Sequence, residues 1–299
     1  MLEKQDIVKG LKQIGLKPND VVLVHSAMRT FGPINGGAGT VVAALREVLA
    51  ENGTLVVPTF NYKHEREKDP IIDPAREPSE MGVITETVRK LPGAQRSISL
   101  SESLAAIGPK ASMITQVDPE LCVLDLGSSF GKMLELDSKI LILGMSYQVS
   151  TSHHLVEYIY QVPYRHIVHV VVRVRQPDGS LIRQRMTEHH PLPKKEGEYY
   201  GSDFNRLGRM LEERGLVGIS AIGNAIVRLF RMQDLIELAK VEAKKDYNVF
   251  RARQGGKITP LKDGQIVLSP VMQDGAGRLL RHEWNVVDPE GIFKRRRKR

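Results

Sequence analysis

A chain of 299 residues, 41% hydrophobic and 26% charged, can bury a large core and is too apolar to be disordered as a whole. No apolar run approaches the roughly 18 residues of a spanning helix, and the polar start Met1-Leu2-Glu3-Lys4-Gln5-Asp6 is not that of a secretory signal, so a cytoplasmic protein is expected. The net charge of +8 points at first to nucleic acid, but 294–299, Lys-Arg-Arg-Arg-Lys-Arg, holds six of those charges, which leaves the rest near neutral and argues against that partner.

Residues 3–15 have helical spacing, with Ile7, Leu11 and Ile14 on one face. Asp20-Val21-Val22-Leu23-Val24-His25 is a continuous β-branched run, as in a strand buried on both faces. After Ser26 comes a glycine-rich loop, Phe31-Gly32-Pro33-Ile34-Asn35-Gly36-Gly37, then a helix from about Gly39-Thr40 and a second buried strand, Thr54-Leu55-Val56-Val57-Pro58. This is a βαβ unit, for which parallel strands and a right-handed connection are expected. Glycines before a helix let the backbone approach a phosphate held by free amides, yet the spacing is neither a dinucleotide fingerprint nor a P-loop, and a plain strand-to-helix turn fits as well.

Residues 61–80, with Asp69-Pro70, Asp73-Pro74 and Glu77-Pro78-Ser79, read as a long loop. A helix is predicted from Ser79, as cap, to Lys90, and a strand-like alternation over 96–108. The single cysteine, Cys122, lies in apolar sequence, Glu-Leu-Cys-Val-Leu-Asp, and is expected to be a packed thiol. Residues 139–145 form another buried strand, leading into Thr151-Ser152-His153-His154-Leu155-Val156-Glu157-Tyr158. On a helix His154 and Glu157 share a face, with Thr151 one turn earlier, which offers a base active near neutrality, a carboxylate and a hydroxyl. Alone, such a pair is more often a surface pair or a buried, hydrogen-bonded histidine. Its place beyond a strand end is where ligands bind in open α/β sheets.

Further on, 166–174 and 180–187 form a hairpin around Pro177-Asp178-Gly179. His189-His190, with the earlier histidines, does not make a metal set, because adjacent histidines diverge and no carboxylate or cysteine recurs at ligand spacing. Residues 226–245 have helical spacing, and 265–271 and 278–287 are strand-like.

Taken together, His25-Ser26 with Gly36-Gly37, Gly53-Thr54-Leu55-Val56-Val57-Pro58-Thr59-Phe60, Pro78-Ser79-Glu80-Met81-Gly82, Arg96-Ser97, Leu143-Gly144, the Thr151–Glu157 stretch and Ser220-Ala221-Ile222-Gly223-Asn224-Ala225 resemble, in that order, the aminoglycoside 3-N-acetyltransferase family over roughly residues 3–245. The resemblance implies acetyl-coenzyme A-dependent acetylation of a small amine, such as an amino sugar or aminoglycoside, without a metal or covalent intermediate. It implies that His25, Ser26, Ala27, Gly36 and Gly37 hold the coenzyme, that His154 is the general base, and that Glu157 and Thr151 support it. Many members carry His-Pro where this chain has Ser99-Leu100, which bears on the acceptor, and the near-neutral charge gives no sign of an acidic pocket for an antibiotic. The expected architecture is α/β, a largely parallel central sheet flanked by helices, in an acetyltransferase domain over 1–249. An antiparallel β insertion at about 163–190, a C-terminal β extension over 250–293 and a basic tail over 294–299 complete it. A homo-oligomer is compatible with this reading, and a catalytically degenerate binding protein is the alternative.

Overall fold

The computed structural model describes residues 1–192 and 201–252, with Thr259 and Leu261. Its elements begin with helix α1 (Lys4–Gln13), strand β1 (Val21–Ser26), helix α2 (Gly37–Leu49) and strand β2 (Thr54–Pro58). Short pieces follow: β3 (Ile71–Ile72), α3 (Val83–Arg89), β4 (Gln95–Arg96), β5 (Leu104–Ile107), α4 (Ala111–Thr115) and α5 (Ser129–Glu135). Then come β6 (Lys139–Leu143), α6 (Ser152–Ile159), β7 (Arg165–Arg175), β8 (Leu181–Pro191), α7 (Phe204–Glu213), β9 (Gly218–Ile222), β10 (Ala225–Arg231) and α8 (Met232–Lys245).

Seven strands make one sheet in the order β4-β5-β2-β1-β6-β10-β9. Its heart, β2-β1-β6, is parallel, and antiparallel strands extend it on both sides. The apolar runs are continuous because successive side chains serve two cores. Leu23, Val56, Ile140 and Ile142 face one, with α4 to α8, while Val22, Val24, Leu55, Leu141 and Leu143 face the other, with α1 to α3. From β1 the chain crosses to β2 on one side, and β6 lies on the other. The β1/β6 boundary is therefore the switch point, where a crevice opens beyond the carboxyl ends of the strands.

The hairpin β7–β8 pairs along its whole length and is joined by β3 in a second sheet. Its inner face, Val172, Val174 and Met186, packs on Ile72 and Leu100. This is the expected antiparallel insertion.

Three predicted elements differ. The helix expected from Ser79 starts at Val83 with Gly82 as cap, and Ser79 instead donates its N–H to Glu86, at 2.7 Å. The alternation over 96–108 is split between β4 and β5, because Arg96 is drawn into bonds with the carbonyl oxygens of Thr59 and Glu77 and 97–103 becomes loop. The helix predicted over 226–245 begins only at Met232; 226–231 is strand, since Leu229 and Phe230 register with Leu141 and Ile140 of β6. Of the extension over 250–293, only 250–252, Thr259 and Leu261 are described, and the basic tail over 294–299 lies outside the described residues. Among the described residues, no helix is long and apolar enough to cross a membrane.

The turn after β6 depends on Gly144. Its φ is +71°, and a side chain there would collide with the hydroxyl and Cβ of Thr30, whose Oγ1 donates to the Ala27 carbonyl at 2.7 Å. Gly144→Ala should therefore lower stability by about 2–4 kcal/mol. Adding Thr30→Ala should return part of the loss by removing the collision but not the backbone strain. Urea midpoints check both, and an unshifted midpoint for the single variant contradicts the argument.

Candidate active site

Helix α6 starts just beyond β6, with Thr151 as its cap residue. Its first turn sends two adjacent histidines to different surroundings. His153 is buried, stacked on Phe204 with centroids 4.9 Å apart and edge-on to Phe230 at 6.2 Å. Burial first, and then neighbouring His154, push its pKa down to about 3, so it is a neutral core residue. The side chain of His154 stays 23% exposed, lies edge-on to Phe204 at 4.7 Å, and reaches Glu157 through Nδ1 at 2.5 Å.

Glu157 is completely buried, and both of its carboxylate oxygens are engaged. Oε1 accepts from Tyr164 at 3.1 Å and from Ser202 Oγ at 2.9 Å. Oε2 accepts from His154, and Arg165 Nε lies 2.7 Å from it as an ion pair rather than an aligned hydrogen bond. Burial alone would raise the carboxyl, but Arg165, His154 and Ser202 together hold it at about 2. An ionised carboxylate can only accept, so His154 Nδ1 carries the hydrogen and neutral His154 presents its lone pair on Nε2. Burial, then the charge of Arg165, lowers the His154 pKa against the opposing pull of Glu157, which keeps the ring neutral near pH 7. The arrangement is a buried carboxylate orienting a neutral, partly exposed base.

Thr151 lies on the same turn but is not joined to the pair: among the described residues its hydroxyl makes no hydrogen bond. The residues expected to hold a coenzyme divide. His25 is buried in β1, its pKa pushed down by burial to about 4, and Ala27 is buried with its N–H on the Leu143 carbonyl at 2.9 Å. Ser26, Gly36 and Gly37 reach the surface. Gly36 caps α2 with φ +74°, the first turn of that helix has no acidic residue and no side-chain cap, and a Cβ on Gly37 or Gly39 would meet nothing within 4 Å. Gly37 N–H is spent on the Ile34 carbonyl at 3.2 Å, and the open backbone of this helix start is what suits a pyrophosphate. Ser26 registers with Leu143 at the carboxyl ends of β1 and β6, and His25 is within electrostatic reach of His153.

Sequence reasoning missed the rest of the site. Tyr164, Arg165, Ser202 and Phe204 carry no motif; only the loop-to-helix pattern Gly201-Ser202-Asp203 hints at a turn of interest. It also missed three glutamates that act on one another, with Arg165 acting on Glu102 and Arg66 on Glu65: Glu65 from the 61–80 loop, Glu102 from the loop before β5, and Glu188 from β8. Burial pushes Glu65 up to about 7. Burial and the charge of Glu65 push Glu102 up to about 7 against the pull of Arg165. Burial, Glu102 and Glu65 raise Glu188 well above the carboxylate range, although Ser101 Oγ donates to it at 3.1 Å. A cluster of buried carboxyl groups is thus present in a chain whose overall charge conceals it.

Cys122 is buried, and burial pushes its thiol up to about 12. Among the described residues no group of three or more His, Cys, Asp or Glu could hold a metal ion.

A family model described as aminoglycoside 3-N-acetyltransferase matches residues 23–242. Aminoglycoside N(3)-acetyltransferase IV of Salmonella sp is 29% identical over 247 residues, covering 83% of this chain and 89% of the relative. The solved structure of aminoglycoside acetyltransferase AAC(3)-IVa, a histidine-to-alanine mutant in complex with apramycin, is similar with a TM-score of 0.67 at 28% identity, covering 83% of this chain and 94% of that one. AAC-IIIb, solved in a binary complex with CoASH, shares the fold with a TM-score of 0.70 at 24% identity, over 82% of this chain and 97% of that one.

The raised glutamates make stability depend on pH. In the unfolded chain Glu102 ionises near 4.5, whereas in the fold it stays protonated to about 7, so it costs stability as pH rises from 4.5 to 7 and continues to do so above. Glu102→Gln should match the parent's melting temperature at pH 4 and exceed it by several degrees at pH 8. Equal melting temperatures at both would show that Glu102 is not buried against its neighbours.

Proposed function

The chain belongs to the aminoglycoside 3-N-acetyltransferase family, and from that premise we propose that His154 is the general base for acetyl transfer to an amine of a polycationic amino sugar. Membership makes the protein an N-acetyltransferase that uses acetyl-coenzyme A. The observation that carries the finer reading is the His154–Glu157 contact, which fixes the tautomer with Nε2 free.

On this reading the acceptor enters as the neutral amine, having released one proton to solvent. Its nitrogen attacks the thioester carbonyl carbon while His154 Nε2 takes a proton from it. The C–S bond then breaks, and the departing thiolate takes that proton from the imidazolium. Glu157 holds the ring in line and offsets its transient charge. The amides of His153 and His154 are spent on the Ser150 and Thr151 carbonyls, so the Thr151 hydroxyl would be the donor on this turn left for the forming oxyanion. Ser26, Gly36 and Gly37 would hold the coenzyme, with His25 and Ala27 shaping the strand end beneath it. Glu65, Glu102 and Glu188 support an acceptor with further ammonium groups, and the apramycin complex of the similar enzyme agrees with that class. A cytoplasmic location, where acetyl-coenzyme A is at hand, belongs to the same proposal.

His154→Ala should lower kcat by about 10²–10⁴-fold, with acetyl-coenzyme A affinity by calorimetry kept within about threefold. The acid limb of the parent's kcat profile should lie below pH 6.5, because His154 titrates below its ordinary value of 6.5. Unchanged turnover in the variant removes His154 from the mechanism.

A further inference from the structure

Two of the side chains that define His154 and Glu157 come from one short segment ahead of α7. Ser202 Oγ donates to Glu157 at 2.9 Å, and Phe204 lies edge-on to His154 at 4.7 Å. Residues 201–203 precede the helix, so helical hydrogen bonds do not hold them. Gln148 grips the segment from one side: its Nε2 donates to the Ser202 carbonyl at 3.0 Å and its Oε1 accepts from Asn205 N at 3.0 Å.

The other side is held by residues that follow α8. Ala252 N donates to the Gly201 carbonyl at 2.7 Å, and Asp203 N donates to the Phe250 carbonyl at 2.8 Å. Beyond them the chain returns at Thr259. Its N–H and hydroxyl both donate to Asp203 Oδ2, at 3.0 and 2.6 Å, and its carbonyl accepts from Asn205 Nδ2 at 3.1 Å. Thr259 thus spends its amide, hydroxyl and carbonyl on this one segment. Asp203 is wholly buried; its Oδ1 accepts from Arg206 N at 3.2 Å, and the nearest cationic atom, Arg206 Nε, is 3.7 Å away. Among the described residues Thr259 therefore supplies both hydrogen bonds to Oδ2, whose loss costs a buried carboxylate oxygen its donors there. Leu261, 3% exposed, is packed in the same core as Phe204, which anchors the returning chain.

We infer that Thr259 is a positioning residue of the acetyl-transfer site, holding Asp203 so that Ser202 meets Glu157 and Phe204 covers His154; the inference rests on the reading of His154 as base. Thr259 lies past the family-matched residues 23–242. The chain after α8 is then part of the active-site framework, not an appendage. The groups that act on His154 are Glu157 on its own helix, Arg165 at the start of β7, the neighbouring His153, and His189 on β8. Loosening the segment withdraws the Ser202 bond from Glu157 and admits water to His154, and relief of burial raises its titration.

The test is Thr259→Val, which keeps shape and amide but lacks the hydroxyl, beside Thr259→Ser, which keeps the donor. Thr259→Val should lower kcat about 10- to 100-fold, the cost of a small misplacement of a catalytic group. KM for acetyl-coenzyme A should stay within about twofold, and Thr259→Ser should recover most of the rate. The His154 imidazole, followed by NMR without substrate, should titrate higher in Thr259→Val and at the parent's value in Thr259→Ser. That titration tests the positioning even if the turnover of His154→Ala has removed the base from the mechanism. A folded Thr259→Val with unchanged kcat and His154 titration overturns the inference, as does an equal weakening of acetyl-coenzyme A binding, which general loosening would give. If that variant does not melt cooperatively, Asn205→Ser, which breaks only the bond to the Thr259 carbonyl, carries the same readouts with smaller shifts expected, and their absence has the same meaning.

Discussion

A fully buried, ionised carboxylate organises this protein. Removing a charge from water costs several kcal/mol unless it is paired and its lone pairs are used. Glu157 meets that demand with donors from separate parts of the chain: His154 on its own helix, Tyr164 and Arg165 where the β7–β8 hairpin begins, and Ser202 ahead of α7. The hairpin and α7 are thereby tied to α6 at one atom group. A change in any of these elements is felt at the imidazole, because Oε2 that receives Arg165 also receives His154.

Arg165 has a further consequence. Its charge holds Glu157 ionised, disfavours protonation of His154, and pulls against the rise of Glu102. One guanidinium thus keeps the proposed base neutral and stands between it and the acidic cluster. The three glutamates exceed the positive charge near them, so protons occupy part of the cluster near neutral pH. A cationic acceptor entering there would take the place of those protons.

How much of this could be read from sequence follows from the range of each interaction. The strands β1, β2 and β6 were legible because burial on both faces leaves an unbroken β-branched run. The His154–Glu157 pair was legible because a helix brings residues three apart together, and the hairpin because Pro177-Asp178-Gly179 marks its turn. Residues 226–231 misled, since their apolar positions also fit a helix and only the register with β6 decides for a strand. Arg165, Ser202 and Thr259 left no local trace, being joined to Glu157 or Asp203 only through tertiary folding. The carboxyl cluster was hidden by arithmetic: its glutamates come from three distant loops and strands, and basic residues elsewhere cancel them in any sum over the chain.

The two halves of the proposed site rest on different kinds of structure. The proposed coenzyme site lies at the carboxyl ends of β1 and β6, where the strands are buried on both faces and a shift of register would expose whole apolar rows. The carboxyl cluster comes from the 61–80 loop, the loop before β5 and the appended hairpin, which pack through a small core of their own. The proposed coenzyme site and His154 therefore belong to the part of the fold that tolerates least change. The surface that would choose the acceptor is carried largely by loops, while the foot of the hairpin stays tied to Glu157 through Tyr164 and Arg165. In this chain Ser99 and Leu100 sit in one of those loops, beside Ser101 and Glu102. On the proposed reading, a departure at those positions bears on which acceptor is bound.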